Sequence, residues 1–137
     1  MARRLARTAA LQMVYENMLG GDGGEETLSG LIEFTPEEGD QEFIDQVLEG
    51  VQEHEEELDA VIVRYLKDWS LERIARVNRA VLRLAIYEMT YCKDVPSNVV
   101  ISEAVGLAQK FDSPEGGKFV NGVLSSVLKD MNKEENA

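Results

Sequence analysis

Apolar residues recur along this chain at the three- and four-residue spacing of helices, and no stretch alternates with the period of two that marks a strand. Phe43, Ile44, Val47, Leu48 and Val51 form one stripe, and after His54 the set Leu58, Val61, Ile62, Tyr65 and Leu66 forms another. A first helix is predicted from about Arg3 to Leu19. The Gly20-Gly21-Asp22-Gly23-Gly24 run interrupts the pattern, followed by a short helix near Glu25 to Glu33 and by Thr35-Pro36-Glu37-Glu38, which reads as a turn or helix start. A helix beginning at Trp69, capped by Ser70 and stapled by Trp69 against Ile74, turns Leu71, Ile74, Val77, Val81, Leu84 and Ala85 inward. Asp94-Val95-Pro96 ends it and opens the next, with Val99, Val100, Ala104, Val105, Leu107, Ala108 and Phe111 as its buried face. The last helix runs from about Gly116 to Met131, with Val120, Val123, Leu124, Val127 and Leu128 inward and the end from Lys133 to Ala137 frayed. The fold class is therefore all-α, a compact bundle of about seven helices. It forms one domain over 1–137, divided at the sequence level into helical halves 1–68 and 69–137.

With 137 residues and 44% apolar content, the chain can bury one core. Its lone cysteine, Cys92, has no internal partner for a disulfide and reads as a small, partly buried residue. Gln12 and Glu16 break the segment after Arg7 before any secretory apolar run develops, and no run approaches the ~20 apolar residues of a membrane span. A cytoplasmic setting is expected.

Charge changes the picture more than composition does. The net charge is -12, yet positive residues are kept together. Arg3, Arg4 and Arg7 open the chain without an acid among them, whereas residues 8 to 63 hold sixteen acids and neither Lys nor Arg. Residues 64 to 93 then reverse the sign. Two basic patches on an acidic body suit a nucleic-acid groove, because the local field outweighs the total. Cations at the start of the first helix oppose its dipole, so their presence points to a ligand rather than to helix stability.

Arg73, Arg76, Arg79 and Arg83 recur at helical spacing across from the apolar face, which predicts a cationic face turned outward. A solvated stripe explains any one of them equally well. A second candidate site is Lys110-Phe111-Asp112-Ser113-Pro114-Glu115-Gly116-Gly117-Lys118-Phe119. Two glycines at a helix start leave backbone N–H groups open to an anion, Lys118 adds charge, and Phe111 and Phe119 offer stacking surfaces for unpaired bases. Taken alone, core packing of both phenylalanines is the more economical reading. The segment is no P-loop, since no Ser or Thr follows Lys118. Glu88 falls among Val77, Val81 and Leu84 on the helix wheel and must be buried with a partner that local sequence does not name. His54, the one histidine, lies in a run of glutamates and reads as part of a solvated acidic face, so no metal or catalytic centre is expected.

Several segments together resemble the NusB family of bacterial transcription antitermination factors. They are Arg3-Arg4-Leu5-Ala6-Arg7, Leu11-Gln12 with Tyr15, Trp69-Ser70-Leu71-Glu72-Arg73-Ile74, and Val81-Leu82-Arg83-Leu84-Ala85 with Tyr87-Glu88. Asp94-Val95-Pro96, Ile101-Ser102-Glu103-Ala104-Val105 and Lys118-Phe119-Val120-Asn121-Gly122-Val123-Leu124 continue the likeness over nearly the whole chain. It implies a NusB-like fold of seven helices with no enzymatic activity and no cofactor. It also implies a protein that pairs with NusE, a small-subunit ribosomal protein, and binds the boxA element of nascent single-stranded RNA. Through other Nus factors it would serve the RNA polymerase elongation complex. By position, the resemblance assigns RNA contacts to Arg3, Arg4, Arg7, Tyr15, Phe111, Glu115, Lys118 and Phe119, and NusE contacts to Arg76, Asn78, Arg79 and Arg83. The family often has an acid where Asn78 stands and an aspartate where Glu115 stands. A homodimer formed in the absence of NusE, through an aliphatic patch on the first or fourth predicted helix, is a further expectation. Two other function classes are a NusB-like accessory domain for ribosomal RNA modification and a helical scaffold for protein interactions without an RNA role.

Overall fold

A computed structural model describes residues 2–18, 40–66 and 73–135. These form six α-helices and no strand: α1 (Ala2–Met18), α2 (Asp40–Glu53), α3 (Glu55–Arg64), α4 (Arg76–Tyr91), α5 (Ser97–Phe111) and α6 (Pro114–Glu135). The all-α expectation is borne out. The glycine run, the short helix expected near residues 25–33, the turn at Thr35–Glu38, and Trp69, Ser70 and Leu71 lie outside the described residues.

Helix α1 is rich in alanine where it meets its neighbours. Ala6, Ala9 and Ala10 are fully buried, and such small side chains let α2 and α4 pack close against it. Helix α2 buries Phe43, Ile44, Val47 and Val51, with Leu48 partly covered, as its stripe predicts. His54 separates α2 from α3 with non-helical angles, and α3 then turns Leu58 and Ile62 inward.

Helix α4 is the centre of the bundle, in contact with all five other helices. Every residue from Ala80 to Met89 is buried. This departs from the expected two-faced helix, because over these ten residues the helix is enclosed by its neighbours and leaves no solvent face for Arg83. Its start also differs from the expected Trp69. Ala75 has φ -56° and ψ 136°, an extended conformation that breaks the helical ladder, so Arg73 lies in a short turn before the helix and off the stripe.

Helices α5 and α6 form a helical hairpin over α4 through the two-residue turn Asp112-Ser113. Val100, Ala104, Leu107 and Ala108 meet the same core as Val120, Val123, Leu124 and Val127. Two expected core positions on α5 are instead outside: Val99 is 41% exposed and Phe111 is 37% exposed. Helix α6 continues to Glu135 rather than ending at Met131, since no Gly or Pro interrupts the segment from Lys129 onward. The Tyr65 hydroxyl donates to the Asp130 carboxylate and ties the end of α3 to α6.

Candidate nucleic-acid interface

The turn between α5 and α6 is built from the residues up. Ser113 caps α6, its Oγ accepting the Gly116 N–H at 3.0 Å while its carbonyl accepts the Gly117 N–H at 3.0 Å. Pro114 at the first helical position needs no N–H partner. The amides expected to lie open to an anion are therefore occupied within the turn. The glycines serve packing instead. A Cβ on Gly116 would overlap the Asp112 carboxylate and lie 3.1 Å from Asn78 Nδ2, and one on Gly117 would lie 2.6 Å from Gln109 Cγ. Asp112 Oδ2 accepts hydrogen bonds from Asn78 Nδ2 at 3.1 Å and from the Ser113 hydroxyl at 3.0 Å.

Phe111 leaves α5 immediately before this turn and faces an open groove of about 550 Å³. Leu11, Tyr15 and Glu16 of α1 form one wall, and Arg76 and Val77 at the start of α4 form the other. Tyr15, half-buried against the core, and the exposed Phe111 are thus brought together from opposite ends of the sequence, with the exposed Arg76 lining the same groove. Lys110 Nζ lies 5.3 Å from the Phe111 ring centroid, within reach of a cation–π contact. On α6, Glu115 and Lys118 are exposed, and Phe119 is half-buried against the core. The packing reading thus describes Phe119 in part and Phe111 not at all. The backbone of Arg3 and Arg4 lies in the first turn of α1.

Three expected contact residues, Arg7, Arg83 and Asn78, are buried, and a fourth, Arg79, is half-buried. Arg7 is 4% exposed. Its Nε lies 3.1 Å from both Glu88 oxygens and its Nη2 lies 3.0 Å from Oε1, a bidentate pair that names the partner Glu88 requires. A guanidinium so engaged in the interior does not face a phosphate. Arg83, also 4% exposed, donates to Asp59 through Nε at 2.8 Å and Nη2 at 2.6 Å, and Nη2 lies 3.2 Å from Glu55. Arg79 reaches the same Asp59 at 3.0 Å. Burial alone would push the Asp59 carboxyl up, but the hydrogen bonds from Arg83 and then Arg79 outweigh it and hold the group below the usual carboxylate range. Asn78, expected at the partner surface, is 5% exposed and spends its Nδ2 on Asp112. Two of the stripe's four arginines, Arg79 and Arg83, thus form an internal ion-pair network with α3. Arg76 is the stripe's exposed member on α4.

Sequence reasoning missed the carboxylates of Asp59 and Asp112. Nothing near Asp59 marks it as the counter-ion of arginines 20 and 24 positions away. Ser113-Pro114 did carry a signal, since that dipeptide marks a capped helix start. His54 stacks on Tyr91 at 4.4 Å between ring centroids and lies 3.0 Å from Glu57, and the Tyr91 hydroxyl also donates to Glu57. Among the described residues no cluster of three or more His, Cys, Asp and Glu is arranged to hold a metal ion.

The NusB family model matches residues 4–129. The transcription antitermination protein NusB of Bacillus subtilis (strain 168) is 42% identical over 131 residues, which covers 96% of this chain and 98% of that relative. The structure of T. maritima NusB superposes with a TM-score of 0.81 at 36% identity, covering 93% of this chain and 90% of the other. A chain of the crystal structure of antitermination factors NusB and NusE in complex with dsRNA superposes with a TM-score of 0.82 at 29% identity, covering 94% of this chain and 97% of its own. Matched over most of its length in sequence and in fold, this chain belongs to the NusB family.

Proposed function

We propose that this protein is a transcription antitermination factor that binds a boxA-type element of nascent RNA together with NusE. It thereby supports RNA polymerase elongation complexes with their other Nus factors, notably on ribosomal RNA operons. The transcriptional role follows from membership in the family, and the relatives carrying it match this chain nearly end to end. The role is that of an adaptor without a catalytic step of its own, and its setting is the cytoplasm; no described helix is long and apolar enough to cross a membrane.

The observation that carries RNA binding is the groove between Tyr15, Arg76 and Phe111. Two aromatic faces and a guanidinium around an open cleft suit an unpaired base that stacks while its phosphate meets the cation. Arg3, Arg4 and Lys118 supply phosphate contacts, Phe119 adds apolar contact beside the turn, and Glu115 accepts from a base edge. Of the positions the resemblance assigns to NusE, Arg76 is exposed where the RNA groove meets the start of α4, and Arg79 is half-buried in its ion pair with Asp59. The acidic remainder of the surface repels RNA from other orientations.

Fluorescence anisotropy of a short boxA-type RNA, with and without NusE, at two salt concentrations and beside a scrambled RNA, tests this reading. Tighter, sequence-dependent binding in the presence of NusE is expected. Absence of binding in both mixtures, with the protein shown to be folded, would remove the role.

A further inference from the structure

The Asn78 side chain is an expensive choice for its position. Its residue is 5% exposed, and among the described residues its Oδ1 is buried without a hydrogen-bond partner. An unsatisfied buried acceptor is destabilising, so folding alone favours an apolar residue there. What the amide returns lies on its other atom. Nδ2 donates at 3.1 Å to Asp112 Oδ2, which also accepts from the Ser113 hydroxyl, whose oxygen in turn accepts the Gly116 N–H. This relay joins the first turn of α4 to the last residue before α6 and to the first turn of α6. Gly116 has no Cβ at the point where Asn78, Asp112 and α6 converge. Phe111, on one side of the joined segment, lines the groove, and Glu115 and Lys118 follow on the other.

We propose that Asn78 is a positioning residue for RNA recognition: by holding Asp112 it fixes the α5–α6 turn, and so sets Phe111 and Lys118 for the RNA without touching it. The inference rests on the RNA-binding reading above. Asn78 thereby has an inward role, in place of the contact with NusE that the resemblance assigns to its position. Oδ1 against the Asp112 carboxylate would be repulsive, so chemistry fixes which end of the amide faces it.

The test compares the full-length protein with Asn78→Asp, Asp112→Ala, and the reciprocal pair Asn78→Asp with Asp112→Asn. Two quantities are read: hydrogen exchange at the Gly116 amide and anisotropy of the boxA-type RNA. Asn78→Asp sets two carboxylates against each other. Asp112→Ala removes the acceptor at an exposed position, so it stays informative even where a buried aspartate hinders folding. Both single variants are expected to speed exchange at Gly116 and weaken RNA binding roughly tenfold, the worth of one hydrogen bond to a charged group. The reciprocal pair restores donor and acceptor with their places exchanged and is expected to recover both quantities to about twofold of the parent. Recovery is the readout that mere loss of stability would not produce. Unchanged RNA affinity in folded single variants, or no recovery in the reciprocal pair, would overturn the proposal while leaving RNA binding by the parent intact. Failure of the parent itself to bind would remove the RNA reading and this proposal with it.

Discussion

Arg7 and Glu88 stand 81 positions apart and meet as a bidentate ion pair inside the bundle, with 5% and 2% of their side chains exposed. The pair joins α1 to the central helix, and the Arg7 guanidinium also lies 5.7 Å from the Phe43 ring centroid of α2. Three helices are therefore registered by one charged group.

Removing either partner breaks a buried, bidentate charge pair. Arg7→Ala and Glu88→Ala are each expected to cost about 3–5 kcal/mol, read from urea unfolding. Arg7→Lys keeps the charge but loses the planar fork and recovers only part of that. Replacing both residues with apolar ones of similar volume should recover most of the stability. A small stability change in Arg7→Ala together with a flatter salt dependence of RNA binding would instead return Arg7 to the phosphate-contacting role its sequence position suggests.

Asp59 gives the fold a dependence on acidity whose sign can be worked out. Burial raises its carboxyl and the hydrogen bonds from Arg83 and Arg79 lower it further, so the folded value lies below the unfolded one. The unfolded chain then takes up the proton first as pH falls. The stability contributed by Asp59 is full above the ordinary carboxylate value near pH 4 and is lost as pH falls through the lowered one. Unfolding free energies of the parent and Asp59→Asn, read from urea denaturation, should therefore differ by about 2 kcal/mol at neutral pH and converge in acid. A gap that stays constant down to the acid limb would show that ionisation of Asp59 is not its source.

Gly50 marks a close approach of another kind. A Cβ there would overlap the ring and hydroxyl of Tyr87, which is itself 6% exposed on the central helix. Gly50→Ala should cost about 3 kcal/mol through overpacking, despite the better helix propensity of alanine. Tyr87→Leu removes the obstructing ring at its own cost. In combination the two changes should cost less than the sum of their separate effects, and a double-mutant cycle in urea measures that coupling. Strict additivity would mean that the ring moves aside freely.

What periodicity can report is which side of a helix is apolar, and it did so for α2, α3 and α6. It cannot report what lies against the other side. Arg79 and Arg83 have the spacing of a solvated stripe, and only the arrival of Asp59 from α3 makes that stripe an interior. The Arg7–Glu88 contact has no local signature, since its burial was inferable from Glu88 on the helix wheel but its partner is supplied by the fold. At the candidate interface, the residue types of Tyr15 and Phe111 were readable in sequence. Their convergence with Arg76 depends on how α1, α4 and α5 cross. The break at Ala75 escaped because neither Ile74 nor Ala75 is a residue type that ends helices.

The groove itself yields the most direct functional prediction. Phe111 is 37% exposed, so Phe111→Ala should cost only about 1–2 kcal/mol of stability, less than a fully buried ring, while weakening boxA-type RNA by about 1–3 kcal/mol, the worth of one stacked base. Tyr15→Ala, on the facing wall, should do the same to RNA with a larger effect on stability, because its ring also packs on the core. If one base is held between the two rings, the double variant loses little more than either single one; if two bases are held, the losses add. Lys118→Ala removes charge rather than stacking. It should lower the salt dependence by ~0.7 log units per decade of salt, and the aromatic variants should leave that slope unchanged. Titrations at several salt concentrations separate the two effects. Equal affinity for RNA in Phe111→Ala and the parent would exclude the groove as the base-binding site.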